Sequence, residues 1–166
     1  MLPKAVGQLT KAKNADRLVV ALSRFDEFPD LWVTDTSFRD VKKVSDANPQ
    51  QSQYIWGKAE LTKYRNADGK ELRAILVKPV NFDPAKKYPL YLILHGGPHN
   101  GIQDSWTFRW NAQVFAGWGY VTAWHNFHGS RGFGQAFTDS INPDGITKPY
   151  EDTIKAAEWF ASKPWI

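Results

Sequence analysis

The sequence contains no cysteine, and this absence excludes several kinds of chemistry at once. Without a thiol, the chain has no disulfide, no cysteine nucleophile and no thiolate ligand for a metal. Its apolar runs all fall well short of the roughly 18 residues that a membrane span requires, so we expect no membrane partner. The N-terminal residues lack the apolar segment of a signal peptide. The sequence therefore leaves the compartment open among cytoplasm, periplasm and secretion.

The sequence also lacks a strong excess of either charge. Lys and Arg number 21 against 17 Asp and Glu, and the formal net charge is +4. The basic residues are scattered rather than gathered into a stripe, which argues against a nucleic-acid partner. Hydrophobic residues make up 42% of the 166 residues and charged residues 23%, which are values of a globular domain with a sizeable core.

The four histidines lie in two pairs, each close to the end of a predicted strand. His95 and His99 form one pair, and His125 and His128 form the other. Neither pair has the His-Glu-x-x-His spacing of a helix-borne zinc site, and no obvious carboxylate completes either pair. We therefore expect no metal site and no cofactor.

Short strands separated by polar turns dominate the first part of the chain. They predict an antiparallel meander, of the kind found in one sheet of a larger all-β repeat. The polar residues 48–53 mark a boundary. The predicted strands cover residues 17–24, 31–35 and 41–44.

After residue 53 the pattern changes to apolar strands that alternate with helical segments. The Asp68-Gly69 pair is a strong hairpin signal between the first two strands. Two later apolar strands separated by a helix argue for a right-handed crossover and a parallel sheet. The predicted strands cover residues 58–65, 71–78, 90–94 and 120–124, and the predicted helices cover residues 105–117 and 149–162.

The stretch Tyr88–Pro98 joins a buried strand to a glycine loop. Leu90–Leu94 is continuously apolar, and His95-Gly96-Gly97-Pro98 follows it directly. Two glycines let the backbone approach a ligand closely, and bare N–H groups at the end of a central strand suit developing negative charge. A plain tight turn would give the same local pattern.

Several motifs in order carry a resemblance to a known family. They are His95–Pro98, Phe108–Gln113, Gly119–Val121 and Asn126–Gly134. Together they resemble the prolyl oligopeptidase family of serine peptidases, in particular its acylaminoacyl-peptidase and dipeptidyl-peptidase-5-like members. The resemblance is specific over residues 88–160 and weaker over residues 17–50.

The resemblance implies a fold class and a domain organisation. That family joins a β-propeller to an α/β-hydrolase domain. Residues 1–50 would then be the C-terminal remnant of the propeller, an antiparallel β meander. Residues 51–166 would be the N-terminal half of the α/β-hydrolase (peptidase) domain, truncated before the nucleophile elbow.

The resemblance also implies roles for two loops. In the family, the Gly97 position offers its backbone N–H to the oxyanion hole, with Gly96 beside it. His95 and Pro98 would belong to the same active-site loop. His128, Gly129 and Ser130 would form a second loop at the active site, and for this loop we favour a structural role over the strand ends. Most family members have Arg where His128 stands.

The sequence departs from the family pattern at the nucleophile. The family places its serine on a Gly-x-Ser-x-Gly elbow after the next strand, with Asp and His later. No Gly-x-Ser-x-Gly occurs in the 166 residues, so no triad residue can be assigned. We expect a fragment of a serine-type exopeptidase or oligopeptidase that is inactive alone and meets peptide substrates only within a full-length parent.

Two alternatives stay open at the level of the sequence. One is a non-catalytic remnant or interaction module that keeps half of a hydrolase fold. The other is half of a lipase or esterase, because a His-Gly-Gly loop also serves esterases; the Asn126–Gly134 motif argues against it. The sequence does not determine substrate preference or oligomeric state.

Overall fold

The N-terminal strands are present in the computed structural model, which describes residues 4–166. They are β1 (Ala5–Lys11), β2 (Leu18–Arg24), β3 (Glu27–Thr34) and β4 (Lys42–Lys43). These strands form one antiparallel sheet in the order β1-β2-β3-β4, which confirms the predicted meander. Strand β1 was not predicted, because nearly all of its side chains are exposed and its sequence carries no apolar alternation.

The described residues divide into two compact units. The first contains the residues up to Trp56 together with Gln103–Asn111, and the second contains Gly57–Ile102 and Ala112–Ile166. The predicted assignment of residues 1–50 and 51–166 to a propeller and a hydrolase domain stays a prediction. Residues 1–3, part of the N-terminal stretch considered for a signal peptide, lie outside the described residues.

The first unit includes two segments that the sequence pattern placed elsewhere. Residues 48–53, predicted as a boundary, contain a short 3-10 helix (Pro49–Gln53). Within it, the Gln51 side chain accepts the Phe28 N–H at 2.7 Å. Residues 105–111, predicted as helix, are not helical; Trp106 instead packs edge-on against Trp56, with ring centroids 5.2 Å apart. The helix prediction over 105–117 is therefore wrong in its first half, because these aromatic side chains pack in the first unit.

The second unit is built on a mixed sheet. Its strands are β5 (Ala59–Arg65), β6 (Glu71–Val77), β7 (Leu90–Leu94) and β8 (Val121–His125), in the order β5-β6-β8-β7. The β5–β6 and β6–β8 pairs are antiparallel. The β7–β8 pair is parallel, with Leu90 opposite Val121, which confirms the predicted parallel pair.

Three helices accompany this sheet. They are α1 (Ala112–Gly117), α2 (Gln135–Asp139) and α3 (Thr147–Ala161). The chain passes from β7 through α1 to β8, as the predicted crossover requires, and α3 matches the predicted second helix. The short α2 was not predicted. This arrangement is that of part of an α/β domain.

The core of the second unit lies under the sheet and α3. Because residues four apart share one face of a helix, Ala156 and Phe160 both turn inward and are fully buried. They meet Leu72 and Ala123 of the sheet in one apolar cluster. Among the described residues, β7 has β8 as its one strand partner, so its other edge is open. No helix within residues 4–166 has the length and apolar character needed to cross a membrane.

Candidate active-site loops

Two loops meet at one edge of the mixed sheet. Because β7 and β8 are parallel, their carboxyl ends lie side by side, and the chain leaves both strands there. We call residues 95–102 the His95 loop and residues 126–134 the His128 loop. The Arg131 N–H donates to the Asn100 carbonyl at 3.1 Å, and the Ile102 N–H donates to the Asn126 side-chain oxygen at 3.1 Å. The two loops are thus joined by hydrogen bonds.

The His95 loop turns at a glycine that no other residue replaces easily. Gly97 has a φ of +79°, in the left-handed region, and a Cβ there would lie 2.6 Å from the Asn100 side-chain nitrogen. The Gly97 carbonyl accepts the His99 N–H at 2.7 Å. Within residues 4–166, no hydrogen bond is donated by the Gly97 N–H, and the residue is exposed. That N–H is free to meet an external acceptor.

A pocket of about 360 Å³ lies against the His95 loop. Its wall includes Gly97 and Pro98 from the His95 loop, Phe127 from the His128 loop and Tyr150 from α3. Most of the residues that line the pocket are apolar. A small apolar pocket with a few polar groups directed at it is typical of a small-ligand or substrate site.

The His95 side chain ties the two loops together. Its Nε2 lies 2.8 Å from the Ser130 Oγ, and its ring stacks on Phe127 with centroids 4.2 Å apart. Its Nδ1 lies 3.3 Å from the Gly96 carbonyl oxygen. Burial lowers the pKa of His95 from its ordinary value, with the Gly96 contact opposing this in part. The ring is therefore neutral at pH 7.

His128 is held by carboxylates rather than directed into the pocket. Its Nδ1 lies 2.8 Å from the Asp152 Oδ2, and its Nε2 lies 3.0 Å from the Asp68 Oδ2. Asp152 is fully buried, and it also accepts the backbone N–H groups of His128 (2.8 Å) and Ala67 (3.1 Å). This carboxylate therefore fastens the His128 loop to α3 and to the β5–β6 turn.

A third histidine lies at the base of the His128 loop. His125, the last residue of β8, is fully buried, and its Nδ1 lies 3.1 Å from the Tyr64 hydroxyl. The same hydroxyl donates to the Asn126 carbonyl at 2.5 Å. Burial lowers the pKa of His125 to about 4 and raises the pKa of Tyr64 above its ordinary value. Both side chains are neutral, as a buried polar pair requires.

The residues predicted for the site fall into two groups. His95, Gly96, Gly97 and Pro98 all line the pocket. His128, Gly129 and Ser130 are buried in the neighbouring loop and are not among the pocket-lining residues. Ser130 nevertheless contacts His95, which lines the pocket. The functional roles of all seven residues stay predictions.

Sequence reasoning missed two residues that organise this region, Phe127 and Asp152. Phe127 lines the pocket and stacks on His95, but an aromatic residue after a strand carries no distinctive signal. Asp152 could have been found. It lies four and eight residues before Ala156 and Phe160, so it occupies the buried face of α3, where a carboxylate needs partners.

Part of the chain matches a known protein family. Residues 106–166 match the family model described as "Prolyl oligopeptidase family". The chain is 46% identical over 96 residues to a probable dipeptidyl-peptidase 5 of Aspergillus terreus, covering 58% of this chain and 13% of that protein. It is 37% identical over 121 residues to dipeptidyl-peptidase 5 of Aspergillus fumigatus, covering 72% of this chain and 17% of the relative.

Solved structures share the fold. Dipeptidyl peptidase 4 of Porphyromonas gingivalis superposes with a TM-score of 0.80 at 22% identity, over 96% of this chain and 23% of the other. An acylaminoacyl peptidase in complex with Z-Gly-Gly-Phe-chloromethyl ketone also gives a TM-score of 0.80, at 19% identity, over 96% of this chain and 25% of that one.

The matched sequence determines the family of this chain, and the shared fold agrees with it. The chain belongs to the prolyl oligopeptidase family. It spans less than a fifth of the length of the two curated relatives described above.

Proposed function

We propose that the chain supplies the oxyanion-binding part of a serine peptidase active site. In this proposal the Gly97 N–H is the donor, and residues 51–166 are the first half of an α/β-hydrolase domain that follows the end of a propeller, residues 1–50. The observation that carries the proposal is the Gly97 N–H: it has no acceptor within residues 4–166, and it belongs to a left-handed residue beside a pocket.

The chemistry of acyl transfer explains why such a group matters. Attack on a peptide carbonyl turns its oxygen into an oxyanion, and a fixed N–H stabilises that charge more than it stabilises the neutral carbonyl. One such donor contributes about 3 kcal/mol to the transition state. The names of the relatives support a peptide substrate of the dipeptidyl or acyl-aminoacyl kind.

The proposal includes that the 166-residue chain does not hydrolyse peptides by itself. The absence of any Gly-x-Ser-x-Gly sequence supports this. The contact between Ser130 and His95 resembles the contact between a catalytic serine and its general base. However, Ser130 is fully buried, and the other His95 nitrogen faces the Gly96 carbonyl rather than a carboxylate. We therefore expect no labelling of Ser130 by a fluorophosphonate and no turnover of dipeptidyl or acyl-aminoacyl substrates.

A chimera tests the oxyanion role directly. Residues 88–166 replace the matching residues of the Aspergillus fumigatus dipeptidyl-peptidase 5, and hydrolysis of a dipeptidyl substrate is measured. Gly97→Ala forces a left-handed residue to carry a Cβ, which displaces the N–H. We expect kcat to fall about 100-fold to 1,000-fold with little change in KM.

Gly117→Ala is the matched control. A Cβ at Gly117 meets no atom within 4 Å, the residue does not have a positive φ, and it is not among the pocket-lining residues. We expect the chimera with this substitution to keep its kcat within about threefold. Equal losses for the two variants, or none for Gly97→Ala, would contradict the oxyanion role of Gly97.

A non-catalytic interaction module is the alternative that one observation favours. Strand β7 has an open edge among the described residues, and Leu94 at its end is 53% exposed, so another strand could pair there. If the chimera folds and the triad supplied by the Aspergillus fumigatus protein is intact, but the chimera is inactive, this alternative is supported over the peptidase role.

A further inference from the structure

The hydroxyl group of Ser130 has an assignable direction. The Phe127 N–H donates to the Ser130 Oγ at 3.0 Å, and the His95 Nε2 lies 2.8 Å from the same oxygen. Because Phe127 already supplies one hydrogen to Oγ, the hydroxyl hydrogen is available to the imidazole. Ser130 is fully buried, so water does not compete for it.

The contact that the His95 Nδ1 makes determines whether the Nε2 donates or accepts a hydrogen bond. The Nδ1 faces the Gly96 carbonyl oxygen at 3.3 Å, and a carbonyl oxygen can only accept. The proton of the neutral ring therefore belongs on Nδ1, which leaves a lone pair on Nε2 to accept the Ser130 hydroxyl. The reverse tautomer would set two lone pairs against each other at Gly96.

The peptide group between Gly96 and Gly97 carries this polarity to the pocket. The Gly96 carbonyl and the Gly97 N–H belong to one planar trans peptide and point in opposite directions. Whatever holds the carbonyl also sets the direction of the N–H. Two flexible glycines would otherwise let this plane rotate easily.

We propose that Ser130 and His95 are positioning residues that orient the Gly97 N–H through a directional hydrogen-bond chain. The Ser130 hydroxyl donates to the His95 Nε2, and the His95 Nδ1–H donates to the Gly96 carbonyl. The stack of the His95 ring on Phe127 keeps the ring in the plane that both bonds need. The catalytic consequence rests on the proposed oxyanion function, whereas the hydrogen-bond chain itself does not.

Nuclear magnetic resonance on the full 166-residue chain tests the hydrogen-bond chain without any need for activity. Long-range ¹H–¹⁵N spectra distinguish the two imidazole nitrogens, and we expect His95 to be a single Nδ1–H tautomer at pH 7.5. Ser130→Ala removes the donor, so we expect a mixture of tautomers. We also expect the ¹H–¹⁵N order parameter of the Gly97 amide to fall from about 0.85, the value of rigid backbone, to below about 0.6, because its peptide plane can then rotate.

His95→Phe provides a second route, because Ser130→Ala also leaves the Phe127 N–H without its acceptor. The Phe ring keeps the stack but neither hydrogen bond, and we expect the same fall in the Gly97 order parameter. His95→Asn keeps a donor close to the position of Nδ1 and should restore most of the order parameter. Ser140→Ala is the control, since its hydroxyl donates to the Phe137 carbonyl and does not touch His95.

Two results would overturn the hydrogen-bond chain: an Nε2–H tautomer of His95 in the unaltered chain, or a Gly97 order parameter that neither Ser130→Ala nor His95→Phe changes. The chimera separates this question from the function. There we expect Ser130→Ala to lower kcat about tenfold with KM unchanged. If the tautomer and order-parameter results hold while kcat stays unaltered, the oxyanion role of Gly97 fails and the hydrogen-bond chain stands.

Discussion

The two loops at the carboxyl edge of the sheet are stabilised in opposite ways. In the His95 loop, Gly96, Gly97 and Pro98 are exposed, and the Gly97 N–H has no acceptor among the described residues. In the His128 loop, residues 126–130 are all buried, and the Asp152 carboxylate accepts the N–H of His128.

This difference reflects two demands that one loop cannot meet together. A loop that presents an N–H to a ligand must leave that group without an internal partner, so it lacks the hydrogen bond that would otherwise fix the loop. A neighbouring loop with saturated hydrogen bonds can provide the rigidity instead. The contact between His95 and Ser130 connects the exposed loop to the buried one.

Removal of the buried carboxylate should break the comparison most strongly. Asp152→Ala leaves His128 and two backbone N–H groups without their acceptor inside the protein. We expect the free energy of unfolding to fall by about 3–5 kcal/mol, measured by urea denaturation. Asp139→Ala is the control, because Asp139 is exposed and its side chain contacts Gln135 alone among the described residues; we expect a change under about 0.5 kcal/mol. Equal effects would refute the special status of Asp152.

Acid should weaken the base of the His128 loop next. The pKa of His125 falls from 6.5 in the unfolded chain to about 4 in the folded protein, because burial disfavours the charged ring. Between these values the unfolded chain binds more protons than the folded one, so stability decreases as pH falls through this window. The loss amounts to about 3 kcal/mol by pH 4. The lowered pKa of His95 acts in the same direction.

Unfolding measured from pH 7.5 down to pH 4 checks this expectation. His125→Phe keeps a ring of similar shape without a titrating group, and it should flatten the curve over this range. A curve equally steep in the variant would show that other groups carry the dependence.

A pair of glycine substitutions gives the smallest and sharpest test of the comparison. Gly129 has a φ of +92°, and a Cβ there would overlap the buried Ile141 side chain. We expect Gly129→Ala to cost about 2 kcal/mol in urea denaturation. Gly96→Ala, in open space within the exposed loop, should cost under about 0.5 kcal/mol. Similar costs at both positions would mean that the loops do not differ in rigidity.

Local patterns in the sequence predicted much of the fold. Apolar runs located β7 and β8 and their parallel pairing, and the Asp68-Gly69 turn located the β5–β6 hairpin. These features follow from neighbours along the chain, since strand periodicity and turn chemistry are local properties. The glycine loop after β7 was also predicted from the sequence, because glycines directly after a buried strand form a local signal.

Tertiary structure alone decided the rest. The helical pattern over residues 105–117 gave way before Ala112, because Trp106 packs against aromatic side chains far away in sequence. The partnership of Asp152 with His128, and the direction of the hydrogen bond from Ser130 to His95, depend on contacts between residues 24 and 35 positions apart. Burial and donor–acceptor polarity arise only when such distant groups meet, and no local pattern encodes them.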